Sequence, residues 1–150
     1  MATANPRKVF NFQVEIDGLV QFEVQKCNIP EPEIESVSHG ASNHDVKTAG
    51  RISFGDITLE KLRAVETTND FGYEWLTQAQ NPVTGGGGLP AQYKRNVVIR
   101  ELAPNNITTI NQWMCEGAWC KKTSYTTSDR MAGDNSIETC TISVDKCYPF

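Results

Sequence analysis

Apolar side chains recur at every second residue through the stretch from Val9 to Val24. Phe10, Phe12, Val14 and Ile16 fall on one face, and Asn11, Gln13, Glu15 and Asp17 on the other, the pattern of a strand with one buried and one wet face. Asp17-Gly18 suits a tight turn at positive φ, and Val20, Phe22 and Val24 then restore the two-residue period on a return strand. The chain therefore opens as an antiparallel hairpin.

Alternation continues downstream. Between Pro30 and Ser38, Glu31, Glu33 and Glu35 oppose Pro32, Ile34 and Ser36, which predicts a strand carrying an acidic stripe. From His39 to Gly50 the residues supply turn chemistry, with Gly40, Ser42, Asn43, His44 and Asp45 prominent, so a loop is expected there. Ile52, Phe54, Ile57 and Leu59 resume β character around an irregularity at Gly55, while Lys61 to Glu66 fits a strand end or a helical turn equally well. Asp70 to Gln80 is the helix: Asp70 is placed to cap it, and Phe71, Trp75, Leu76 and Ala79 share one face. Asn81-Pro82 stops it, and Gly85 to Gly88 reads as a flexible linker before a strand over Tyr93 to Leu102. A strand pair, Ile107 to Cys115 and Trp119 to Thr127, flanks Glu116-Gly117, and a last strand runs from Ile137 to Cys147. The sum is about seven or eight strands and one α-helix, a mainly β chain of antiparallel sandwich or small barrel type.

A chain of 150 residues with 39% apolar content can bury a real core as one domain, 1–150. Its formal charge of -4 opposes tight nucleic-acid binding, which rests on a basic face that releases counterions from phosphate. No apolar run has the length of a signal-peptide core or of a membrane span, so folding in the cytosol without a membrane anchor is expected. On that expectation the tripeptide Asn106-Ile107-Thr108 is not a glycosylation site.

Catalytic and ligand motifs do not assemble. The tetraglycine run lacks the Gly-Lys-Ser/Thr ending of a phosphate loop, and His39 and His44 lack a metal-ligand spacing or a partner nucleophile. Asp129, Asp134, Asn135 and Glu138 lack the alternate spacing of a calcium loop and read as a polar loop beside a strand. Trp75, Trp113 and Trp119 are read as packing residues, and Lys121-Lys122 as a solvated pair. No cofactor and no metal is expected. The five cysteines, Cys27, Cys115, Cys120, Cys140 and Cys147, have no zinc or redox-motif spacing and are read as free thiols. Cys140 shares a face with Ile142 and Val144 and should be core. An odd count leaves one thiol free or bridging to a neighbour under oxidising conditions, and Cys27, before Pro30, is the exposed candidate for an inter-subunit disulfide.

The order of the elements carries a resemblance. The hairpin Phe12-x-Val14-x-Ile16-Asp17-Gly18 is followed by Glu33 to His44 and by Gly50-Arg51-Ile52-Ser53-Phe54-Gly55-Asp56-Ile57-Thr58-Leu59. The Trp75 helix, Arg95 to Leu102, the Trp113 to Lys122 pair and the strand from Ser136 complete it. This succession resembles the tail-tube proteins of contractile-tailed bacteriophages over nearly the whole chain, with a cysteine count and a tetraglycine run that depart from the family.

The resemblance implies sixfold rings stacked into a hollow tube inside a virion tail, assembled in the host cytoplasm, with strands of neighbouring subunits joining in a ring-wide β-barrel. It implies as partners other copies of the chain, a tail sheath protein, baseplate or initiator proteins and a tail terminator, and transient passage of DNA during ejection without specific binding. Glu31, Glu33, Glu35, Asp56, Glu60 and Asp145, with Thr58, Thr139 and Thr141, would then line the channel, where negative charge keeps phosphate from adhering. The segment Gly40 to Gly50 exceeds the roughly two to five residues of a hairpin loop, so Gly40, Ser42, Asn43, His44, Asp45 and Lys47 are assigned to contact between subunits or rings. Three rival classes stand beside this reading. They are an inner tube of a phage-derived bacteriocin or other bacterial contractile injection system, a small β-barrel hydrolase using His39 or His44, and a monomeric carbohydrate-binding module using Trp113 and Trp119.

Overall fold

The computed structural model describes residues 5–21, 23–41, 43–65 and 70–150. Phe22, Ser42 and Glu66, named above, lie outside them. The opening hairpin pairs β1 (Phe12–Ile16) with β2 (Leu19–Val20), and its turn places Asp17 at φ 51° and Gly18 at φ 80°, as the Asp-Gly sequence demands. Val14 and Ile16 are buried, but Phe10 is 72% exposed because the strand begins only at Phe12 and Asn11 turns inward instead. The return strand is also interrupted. Val20 faces Glu15 in β2, whereas Val24 opens β3 (Val24–Cys27), which pairs with β6 (Ile57–Leu62) elsewhere in the sheet.

Between β3 and β6 in the chain come β4 (Pro32–Ala41) and β5 (His44–Phe54), which among the described residues pair only with each other. The stretch expected to be a loop is thus most of a long hairpin. The turn-forming residues stand among Val37, Val46 and Thr48, whose β-branched side chains suit an extended backbone.

Helix α1 (Phe71–Ala79) follows, then a second helix that the sequence did not announce, α2 (Pro90–Tyr93), a single turn started by a proline. The tetraglycine run between them is a close-packed turn rather than a linker. Asn81 N–H donates to Gly86 O at 2.7 Å, and Gly88 N–H donates to Ala79 O at 3.2 Å. A side chain at Gly88 would strike the carbonyl of Gln78.

Strand β7 (Arg95–Leu102) leads into β8 (Thr109–Tyr125), which is one bent strand where two were expected. The bend falls at Gly117, at φ 66°, where a Cβ would collide with the Asp145 carboxylate. The first half of β8 pairs with β7 and with β10 (Lys146–Pro149), and the second half pairs with β9 (Ile137–Ser143). The expected last strand is therefore divided at Val144-Asp145, opposite the bend. Among the described residues eight strands form one antiparallel sheet in the order β2-β1-β7-β8-β9-β6-β3, with β10 beside β8. The sheet does not close on itself.

The bend folds the sheet around one core. Val14, Ile16, Val97, Ile99 and Cys115 come from one half, and Ile57, Leu59, Cys120, Cys140 and Ile142 from the other. Trp75 of α1, 1% exposed, packs among them and donates its indole N–H to Tyr93 O at 2.7 Å. Burying an indole of this size contributes several kcal/mol, and its polar edge is satisfied.

Candidate functional site

The β4–β5 hairpin is the feature of the molecule that its own core does not explain. Its strands are 10 and 11 residues long, so at about 3.3 Å per residue each extends for roughly 30 Å or more. Every described side chain of β4, and all of β5 but Val46 and Phe54, is exposed. An isolated two-stranded hairpin is at best marginally stable in water. This one nevertheless leaves Ile34 57%, Ile52 55% and Val37 45% exposed. Ile34 and Ile52 are directly opposed across the pair, and the register shifts between Ile34 and Ser36. Alternation along β4 puts Glu33, Glu35, Val37 and His39 on one face and Ile34 on the other, so the hairpin offers apolar groups on both sides.

The residues assigned to contact between subunits gather at its tip. Gly40 faces Asp45, Ser38 faces Lys47, and Asn43 lies in the turn. All of them and His44 are exposed, and Ser42 is outside the described residues. His39 stands opposite Val46, and His44 opposite Ala41, and both histidines are exposed.

The acidic residues assigned to a channel do not form one continuous stripe in the single chain. Glu31, Glu33 and Glu35 sit at the base of the hairpin, exposed, and among the described residues none of them forms an ion pair. Of the other three, Glu60 lies in β6, Asp56 just before it and Asp145 in the bend between β9 and β10, each beside a lysine. Glu60 is 3.8 Å from Lys26, Asp56 is 2.6 Å from Lys121, and Asp145 is 2.9 Å from Lys94. Glu60 faces Thr139, and Thr58 faces Thr141, on the wet side of β6 and β9, opposite the side that buries Ile57 and Leu59. Lys122 stands opposite Thr141 on the same side. Lysines separated by many residues in sequence come together here with the carboxylates, which no local pattern could reveal.

A cleft of about 1030 Å³ opens between β1 and β7 on one side and β3 and β6 on the other, lined by Phe10, Phe12, Val24, Ile29, Ile99 and Cys27 among others. Cys27 ends β3 instead of lying in an open loop. It is half-buried against the core, and burial pushes its thiol up to about 12. Sequence reading missed the apolar face of the hairpin and this cleft. The exposed pair Ile34 and Ile52 had a signal in the alternation, but whether such a face is covered depends on tertiary placement.

Glu138, expected in a polar loop, is 2% exposed within β9. Its Oε1 accepts the Gly72 N–H at 2.8 Å, so a carboxylate from the sheet caps the first turn of α1. Asp70, the expected cap, makes no such bond and instead pairs with Arg63 at 3.0 Å.

An open β-sheet with a long, self-paired hairpin that leaves Ile34, Val37 and Ile52 exposed has the form of a subunit built for assembly. The model of the T4-like virus tail tube protein gp19 family matches residues 8–147, and the chain belongs to that family. The tail tube protein gp19 of Enterobacteria phage T4 is 29% identical over 116 residues, covering 72% of this chain and 69% of that one. Among solved structures, the cap terminating the tube of the anti-feeding prophage superposes with a TM-score of 0.83 at 14% identity, covering 100% of this chain and 94% of that one. The sheath-tube complex of an extracellular contractile injection system, PVC, in the extended state gives 0.78 at 15% identity, with 97% and 91% covered. These two likenesses are of fold. The family is one of structural proteins of the phage tail tube, and the chain is a tube component of the virion.

Proposed function

We propose that this chain, as a single unit spanning 1–150, forms sixfold rings that stack into the inner tail tube through which DNA is ejected. The observation that carries the reading is the β4–β5 hairpin, whose apolar residues at positions 34, 37 and 52 are left exposed by the described residues. Contact with a neighbouring subunit or ring supplies that cover, and the tip residues Gly40 to Lys47 reach across to it. The open sheet supports the same reading, because its end strands β2 and β3 leave backbone groups to be met by strands of neighbours in a ring-wide barrel. Glu31, Glu33 and Glu35, without an ion pair among the described residues, are the residues best suited to an acidic channel wall, and Asp56, Glu60 and Asp145 are partly neutralised by their lysines. The tube binds a tail sheath on its outside and baseplate, initiator and terminator proteins at its ends, is assembled in the host cytoplasm, and performs no catalysis.

The test replaces Ile34 and Ile52 by serine. The single chain should fold as before, with assemblies that sediment in the parent protein lost from the variant. Undiminished assembly by a folded I34S/I52S protein would contradict the hairpin's role. A second reading, an inner tube of an injection system other than a phage, is favoured by the fold shared with the two injection-system structures. Capsid and terminase genes beside this one decide for the phage.

A further inference from the structure

Strand β10 lies against β8 with Cys147 directly opposite Cys115. Phe150 N–H donates to Gln112 O at 3.1 Å, which makes 112, 114 and 116 the hydrogen-bonded positions and leaves Cys115 and Cys147 a non-hydrogen-bonded pair. Such pairs bring their Cα atoms to about 4.5 Å, within the roughly 4.4–6.8 Å that a disulfide spans. Pro149 fits the same register, since its missing N–H would face away from β8. The two sulfurs are 3.3 Å apart, and both thiols are free. The other neighbouring thiols are placed differently. Cys120 stands opposite Ile142, and Cys140 opposite Thr123, across a register shift, and both are fully enclosed.

We infer that Cys115 and Cys147 are an oxidisable dithiol, which a low-molecular-weight disulfide such as oxidised glutathione converts to a disulfide that staples β10 to β8. Strand β10 has four residues and pairs only with β8 among the described residues, so local opening exposes Cys147 before the other core cysteines. The deprotonated Cys147 sulfur attacks one sulfur of oxidised glutathione, breaking its S–S bond and releasing one glutathione thiolate, which takes up a proton. The deprotonated Cys115 sulfur then attacks the Cys147 sulfur of the mixed disulfide, forming the Cys115–Cys147 bond and releasing the second glutathione. Two protein thiols are oxidised, and one glutathione disulfide is reduced to two thiols. Burial raises both thiols from their ordinary range, so exchange is slow while β10 stays paired. The bond therefore forms late, on prolonged exposure to oxidant.

The experiment incubates the purified protein with oxidised glutathione, alkylates remaining thiols in denaturant and digests with trypsin without reductant. The fragment 101–121, which holds Cys115 and Cys120, should appear joined to 147–150, with Cys120 alkylated and the link lost on reduction. Hydrogen exchange at β10 should slow about tenfold or more on oxidation of the parent protein and be unchanged by oxidant in Cys147→Ser. Recovery of Cys115 and Cys147 as alkylated or glutathione-bound residues, or a dominant Cys120–Cys140 or Cys27–Cys115 link, would overturn the inference.

Discussion

Two side chains show how single residues hold the fold. Glu138 is a buried carboxylate whose Oε1 caps α1 through Gly72, and its Oε2 has no hydrogen-bond partner among the described residues. Replacing it by alanine removes the cap and leaves the Gly72 N–H enclosed and unpaired, so Glu138→Ala should cost about 1–3 kcal/mol in urea unfolding. A variant as stable as the parent would show that the cap is dispensable. Glu116 accepts the Tyr148 hydroxyl at 2.6 Å and lies near Lys146, and these contacts hold its carboxyl below the usual carboxylate range. Because the folded value is the lower one, the contribution to stability is present above the unfolded carboxylate range and lost as pH falls through the folded value. Acid should therefore loosen β10 from β8 before the core yields, and Tyr148→Phe should bring the Glu116 titration back toward the ordinary range. An NMR titration of the Glu116 carboxyl in both proteins checks this.

At the scale of elements, legibility followed the physics of each segment. The start of the first hairpin and α1 were readable because one face of each is buried, so burial writes its period into the residues, Val14 and Ile16, Phe71 and Trp75. Strand β7, with Val97, Val98 and Ile99 all buried, was readable as an apolar β-branched run. The β4–β5 hairpin was half readable. The alternation around Ile34 and Ile52 was plain, but its outer part has little burial to enforce a pattern and so looked like a loop. Strand β8 was read as two because Glu116-Gly117 resembles a turn, whereas Gly117 bends a continuous strand around Asp145. Of the candidate site, the sequence names the tip residues and the hairpin glutamates, which the structure leaves exposed where it describes them, while the lysines beside Asp56, Glu60 and Asp145 become adjacent only on folding. One prediction belongs to the hairpin itself. His39 and Val46 are opposed, so replacing 40–45 by Asn-Gly closes a shorter hairpin in the same register. That variant should fold with unchanged core stability and fail to elongate; tubes of normal length would show that the tip makes no essential contact.

For the whole molecule, the charge of -4 and the open sheet acquire meaning only in an assembly. In the proposed sixfold tube, six copies around a bore would concentrate acidic side chains where phosphate has to pass, and like charge lowers adhesion. Changing Glu31, Glu33 and Glu35 together to lysine should leave assembly largely intact and slow DNA delivery most at low ionic strength, because each added phosphate contact strengthens binding in a salt-dependent way. Normal delivery at low salt by the triple variant would place these residues away from the bore. The central claim is self-assembly into a hollow tube, and electron microscopy of the purified protein, concentrated in the presence of tail initiator components, tests it most directly. The account predicts sixfold rings with an open centre, stacked into tubes; particles of single-chain size alone, under those same conditions, would contradict it.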